Sequence, residues 1–208
     1  MLVQDVMTRQ GVAISPDMPI GDVNALMEQR DIRHFPIVDE GGLAGIVSDR
    51  DIRSVGSAHP KAPEGVSLKS AVETIMARQV LTAHPLDPVE EAAKVLREHK
   101  IGALPVVNGG ELVGIVSSVD LLDTLVRMTG VGGASTRLEV ELHNRPGALA
   151  TLMRHIAERN VNVVSVLTTG REEDSLTFVL RVNTIDGRGL AQALCERGFN
   201  VVWPRSSK

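Results

Sequence analysis

Gly45-Ile46-Val47-Ser48-Asp49-Arg50-Asp51 returns further along the chain as Gly114-Ile115-Val116-Ser117-Ser118-Val119-Asp120. Each copy reads as an apolar strand that breaks at a serine and opens a helix with an aspartate in its first turn. Where a strand end feeds a helix start, unpaired backbone N–H groups and a partial positive charge suit an anion such as a phosphate. The aspartate repels that phosphate, but it accepts hydrogen bonds from neutral hydroxyls, as the acidic residue of dinucleotide sites does for a ribose. Two such places related by a repeat point to a receptor for phosphorylated nucleosides.

Asp120 minus Asp51 gives an offset of 69, and the same offset pairs Met7 with Met76, Arg9-Gln10 with Arg78-Gln79, Pro16 with Pro85 and Pro19 with Pro88. It also pairs Ile32 with Ile101, Pro36 with Pro105, Gly41 with Gly110 and Leu43 with Leu112. One register held over so many proline and glycine positions indicates a duplicated module. In the first copy, Val12-Ala13-Ile14 reads as a short strand, and Ile20, Val23, Leu26 and Met27 fall on one helical face. Phe35–Val38 and Leu43–Val47 read as a hairpin, followed by a helix from Ser48 towards Val55. The second copy repeats a strand (Val80 to Ala83), a helix (Pro88 to His99), a hairpin (Leu104 to Val116) and a helix (Ser118 to Met128). Ser54 to Ser70 between them is rich in Ser, Gly, Pro and Lys and reads as an irregular connector.

The chain has 208 residues, a net charge of −4, one cysteine, one tryptophan and no tyrosine. The length allows cores without staples, and the lone Cys195 forms no internal disulfide. The start of the chain lacks a signal-peptide pattern and no apolar run matches a membrane span, so no membrane association and a cytoplasmic location are expected. The acidic balance and the scarcity of aromatic platforms argue against nucleic acid as a partner.

This β-α-β-β-α pair, with its two Gly-Ile-Val-Ser-x-x-Asp segments and the Asp-Val-Met opening at Asp5 to Met7, resembles the tandem CBS domain, or Bateman module. The resemblance implies two clefts about a pseudo-twofold axis that bind adenine nucleotides (AMP, ADP or ATP) or related adenosine ligands. It implies that Asp51 and Asp120 contact ribose hydroxyls, with Ser48 and Ser117 beside them, and that Arg33 and His34, just before Pro36, approach the phosphates. Arg50 adds charge. Gly102-Ala103 supplies no cation where Arg33-His34 supplies two, so unequal clefts are expected, the first being the stronger. A plainer reading stays open: the serines and aspartates serve as helix caps, and Arg33 and His34 are an ordinary polar start to a strand.

After Met128, Thr129-Gly130-Val131-Gly132-Gly133-Ala134-Ser135 reads as a linker. Its Gly-rich run follows a helix and precedes a strand, the reverse of a phosphate loop. Leu138, Val140 and Leu142 then alternate with Glu139, Glu141 and His143, a strand with one wet face. A turn at Asn144-Arg145-Pro146-Gly147, a helix over 148–159, strands over 161–168 and 176–183, a helix over 186–197 and a last strand at Val201–Trp203 complete a βαββαβ order. The Asn-Arg-Pro-Gly-Ala-Leu turn and Asn160-Val161-Asn162-Val163 resemble an ACT domain. The resemblance implies an amino-acid-type effector held where two such domains meet, with Asn144, Gly147 and Asn162 at the matching positions. Leu142 stands where serine-sensing members carry a histidine, and His143 is shifted to the opposite face. Turn formation alone also explains Asn144 and Gly147.

The expected architecture is therefore α+β: a first CBS domain over 1–57, a second with its connector over 58–128, a linker over 129–135 and a ferredoxin-like ACT domain over 136–208. The combination resembles the acetoin-utilisation B-type CBS-ACT group and implies a homodimeric regulator, with an unknown regulated protein in acetoin or carbon metabolism. No catalytic constellation, metal site or bound cofactor is expected. Two alternatives remain: an accessory subunit acting through protein contacts with empty clefts, and a weak nucleotide hydrolase using Asp49, Asp51 or His34.

Overall fold

The computed structural model describes residues 1–9, 13–55, 65–171 and 174–205. Two compact units divide at Leu122/Asp123.

In the first unit, α1 (Ile20–Arg30) starts at Pro19 and ends at Asp31 in a left-handed conformation. It is followed by the antiparallel hairpin β1 (His34–Asp39) and β2 (Gly42–Ser48), then α2 (Asp49–Ser54). The second copy repeats this as α3 (Val89–His99), β3 (Ala103–Asn108), β4 (Glu111–Ser117) and α4 (Ser118–Thr129), the last of which belongs to the second unit from Asp123 on, with Lys100 left-handed at the end of α3. Each hairpin carries its bulge at the equivalent place, Ile37/Val38 and Val106/Val107.

The expected strand Val80 to Ala83 is reduced to one parallel bridge, Ala83 to Val106. Its bonds are Ala83 N–H to Pro105 O and Val107 N–H to Ala83 O. Extending the ladder backwards would require a donor on Pro105, and extending it forwards would require one on Pro85. Neither proline has an N–H, so pairing stops after one bridge. Ile14 makes the same single bridge to Ile37, flanked by Pro16 and Pro36. Val12 of the expected first strand lies outside the described residues, as do Gln10 of the repeat and 56–64 of the connector.

The two copies exchange their leading segments. Val3 is fully buried in the second copy's core with Leu96, Leu104, Val106 and Val116, while Val72 is fully buried in the first copy's core with Ile20, Phe35, Ile37 and Val47. Both valines sit in short 3₁₀ turns, Val3–Asp5 and Val72–Thr74. The same segments satisfy otherwise orphaned N–H groups at the helix starts: Ile20 N–H donates to Ser70 O, and Val89 N–H to Met1 O. They also extend the hairpins, Ala77 bridging Ile46 and Thr8 bridging Ile115. Gly45 and Gly114 make room for these crossings. A methyl on Gly45 would lie 2.6 Å from Met76 Sδ, and one on Gly114 would lie 2.7 Å from Thr8 O.

The second unit forms the four-stranded antiparallel sheet β6-β7-β5-β8, from β5 (Thr136–His143), β6 (Val163–Arg171), β7 (Ser175–Val182) and β8 (Asn200–Trp203). Helices α5 (Ala148–Ala157) and α6 (Gly187–Glu196) cover one face, burying Leu138, Val140, Leu152, Ile156, Leu180 and Leu194. Apolar alternation in β5 and β7 supplies the inward rows. This is the βαββαβ order of a ferredoxin-like sandwich. The Gly-rich segment after α4 packs on β6: Ser165 Oγ donates to Thr129 O at 2.8 Å, and Ser135 Oγ to Gly130 O at 3.2 Å.

Candidate functional site

Ser48 ends β2 in an extended conformation and caps α2. Its N–H and Oγ–H both donate to Asp51 Oδ2, at 2.8 and 2.6 Å, while Asp51 N–H reaches back to Ser48 Oγ at 3.4 Å. This is a reciprocal capping box. Ser117 and Asp120 build the same box with distances of 2.7, 2.6 and 3.3 Å. The capping role left open by the sequence is thus present in both copies. It engages one oxygen of Asp51, and the other, Oδ1, has no hydrogen-bond partner among the described residues.

The strand starts converge on these helix ends. Asp49 N–H donates to Arg33 O at 2.9 Å, and Ser118 N–H to Gly102 O at 3.0 Å. His34 pairs across the hairpin with Ser48, and its ring lies over Gly102 of the other copy. A methyl at Gly102 would stand 2.5 Å from His34 Cε1 and 2.7 Å from Nε2. Burial holds the His34 pKa below its ordinary value of 6.5, opposed by the carboxylates of Asp49 and Asp51. Asp49 is itself paired with Arg53 at 2.8 Å. Arg33 and Arg50 are exposed and form no ion pair among the described residues, and Pro36 is buried. The first copy therefore gathers Arg33, His34, Ser48, Asp49 and Asp51 around one helix start, against which the second copy offers Gly102 and the buried Ala103. The facing of His34 and Gly102 is absent from the sequence reading. The offset pairs Gly102 with Arg33, a large-to-small exchange that marks the position.

In the second unit Asn144, Gly147 and Asn162 are all exposed. Gly147 precedes α5 at φ 84°, a left-handed conformation that favours glycine. The structure does not bring the three together within one domain. Asn144 N–H bonds Asp174 O beside the His143–Ser175 end of the sheet, whereas Asn162 O accepts from Asn183 N–H beside the Thr136–Val182 end. The eight residues of β5 separate these ends, about 25 Å at strand rise. The cause is topological: α5 runs back along the sheet, so its two flanking loops lie at opposite ends.

Two cavities, of about 370 and 270 Å³, lie on the second unit. The larger is lined by Arg137, Ile185, Asp186, Arg188, Trp203 and Pro204 among others, and the smaller by His155, Glu158 and Arg197 among others. Neither touches the sequence-derived candidates. Among the described residues no cluster of His, Cys, Asp and Glu could hold a metal ion, and no helix is long and apolar enough to cross a membrane.

The CBS domain model matches residues 3–57 and 72–127, and the TTHA0829-like ACT domain model matches 132–205. The chain belongs to the CBS-domain family, as a tandem pair followed by an ACT domain. It is 31% identical over 136 residues to the CBS domain-containing protein YhcV of Bacillus subtilis, covering 65% of this chain and 94% of YhcV. A homoserine O-acetyltransferase of Methanococcoides burtonii is 39% identical over 122 residues, which span 57% of this chain but only 23% of that enzyme. Among solved structures, a putative acetoin utilization protein (AcuB) from Vibrio cholerae is 32% identical, with a TM-score of 0.55, covering 64% of this chain and 95% of that one. The CBS domain pair of protein MJ0100, solved with 5'-methylthioadenosine and S-adenosyl-L-methionine, is 31% identical, with a TM-score of 0.53, covering 60% of this chain and 95% of that one.

Proposed function

We propose that this protein is a non-catalytic regulator whose CBS pair binds an adenosine-containing ligand in the cleft of the first copy. The observation that carries this reading is the concentration there of an Asp51 oxygen and an Arg33 side chain with no partner among the described residues, together with the His34 ring, at a helix start. Asp51 Oδ1 accepts the ribose hydroxyls, while Arg33 and His34 face an anionic or polar tail. The adenosine ligands of the similar MJ0100 pair support the class. Calorimetry with AMP, ATP and S-adenosylmethionine tests it. Wild type binds at least one, Asp51→Ala weakens binding about tenfold or more, and Asp120→Ala changes it little. Silence with all three ligands removes the proposal.

The ACT domain extends the reading. Since Asn144 and Gly147 lie about 25 Å from Asn162, a small effector touches both sets only where two ACT domains meet. This regulator therefore works as a homodimer, with an amino-acid-type effector at that junction and a carbon-metabolism partner such as an acetoin enzyme. Native mass spectrometry of the full chain tests the subunit number and any retained ligand; a monomer under all conditions refutes the junction.

A second reading, an accessory subunit with empty clefts, is favoured by the engagement of Asp51 and Asp120 in caps. Capture of the same partner with and without nucleotide would select it.

A further inference from the structure

The larger cavity lies at the Thr136 end of the ACT sheet, away from the Asn144–Gly147 turn, and none of Asn144, Gly147, Asn162, Asp51 and Asp120 lines it. Its volume of about 370 Å³ falls within the roughly 300 to 1,000 Å³ range of small-molecule sites. Three distant parts of the sequence build it: the start of β5, the turn into α6 and the end of β8. The chain's only tryptophan, Trp203, stands there half-exposed beside a fully exposed Ile185. Two guanidinium groups share the lining, Arg137 and Arg188.

Arg137 forms an ion pair with Glu139 through Nε at 2.8 Å, which leaves its terminal amino groups outside that bond. Arg188 has no ion pair or hydrogen bond among the described residues. It occupies the first turn of α6, where a cation opposes the helix dipole, so helix stability does not account for it. The one carboxylate in the lining, Asp186, accepts the N–H of Gly189 and caps the helix. Neither guanidinium stacks on the indole among the described residues, which leaves the ring free for a ligand.

We infer that this cavity binds a small planar organic anion, its ring on Trp203 and Ile185 and its carboxylate or phosphate between Arg137 and Arg188. Flat apolar surface beside two guanidinium groups matches that chemistry.

Because Trp203 is the only tryptophan, its emission reports the cavity directly. The full chain is titrated with benzoate and phenyl phosphate, with acetate and benzyl alcohol as controls lacking the ring or the charge, up to about 10 mM. The expected result is a saturable emission change with benzoate or phenyl phosphate and none with the controls. Arg188→Gln weakens it roughly tenfold, and Asp51→Ala leaves it unchanged, which keeps this site separate from the nucleotide cleft. Amide shifts of Ile185 and Gly187 in a ¹H–¹⁵N spectrum accompany binding. No saturable change with either ring-bearing anion overturns the inference, as does a change that survives both Arg188→Gln and Arg137→Gln.

Discussion

The two copies of the CBS repeat are alike in their frame and unlike at the start of their hairpins. Caps, bulges, left-handed helix ends and single-bridge edges recur at the same offset, and even the borrowed segments are equivalent: Val3 completes the second copy as Val72 completes the first. At the mouth, Arg33-His34 stands in one copy and Gly102-Ala103 in the other, and the ring of His34 fills the space that Gly102 leaves. The frame is symmetric, while one side carries the charge and the other leaves the space that the His34 ring takes up.

The exchange of segments makes the largest prediction. Deleting residues 1–8 removes the beginning of the chain but should unfold the second copy. Val3 leaves that core, and five backbone bonds are lost: Val3 to Asp87, Gln4 to Pro85, Val89 to Met1, and the two that Thr8 and Ile115 exchange. At about 2 kcal/mol for the valine and roughly 1 kcal/mol per bond, the total is about 7 kcal/mol. Hydrogen exchange should show protection lost in β3 and β4 before β1 and β2. The opposite order would contradict the exchange. The crossing glycines come next. Gly114→Ala drives a methyl against the backbone oxygen of Thr8, whereas Gly45→Ala meets first the flexible end of Met76. Overpacking of this kind costs about 1 to 3 kcal/mol, with Gly114→Ala at the upper end and Gly45→Ala at the lower. Urea denaturation of the two variants gives the ordering directly.

The hairpins and helices of this frame were legible because alternating apolar runs, prolines and glycines act locally. The exchange was not. Val3 and Val72 sit in short turns, Val3–Asp5 and Val72–Thr74, too brief for a periodicity to announce where they insert. The expected strand Val80 to Ala83 shortens to one bridge because the donor missing from Pro105 matters only once the partner strand is known. The ACT candidates show the same limit: Asn144 and Asn162 flank one helix in the sequence, and only the path of α5 shows that they lie at opposite ends of the sheet within one domain. Trp203, Arg137 and Arg188 meet only through the fold.

The matched caps sharpen the comparison at intermediate size. Asp51→Ala and Asp120→Ala each lose a reciprocal cap, and each should lower stability by about 1 kcal/mol. On the proposed function their ligand effects diverge, since Arg33 and His34 stand at the strand start beside Asp51 where the second copy has Gly102 and Ala103. Equal loss of nucleotide affinity in both variants would show that the difference at the mouth carries no selectivity.

The smallest effect belongs to His34 and concerns pH. Burial against Gly102 disfavours the imidazolium, so the folded pKa lies below 6.5, while Asp49 and Asp51 limit the shift. Below 6.5 the unfolded chain takes up the proton first, so stability falls as pH drops from there through the lowered folded value. His34→Gln should flatten that part of the stability profile, by less than either glycine substitution changes it. An anionic ligand acts in the opposite direction. A phosphate beside the ring favours the protonated form, and binding of an adenine nucleotide should therefore tighten as pH falls through the same window, in wild type but not in His34→Gln. Calorimetry at two pH values reads this out. An affinity independent of pH would place the ring outside the ligand's reach and leave His34 as packing between the copies.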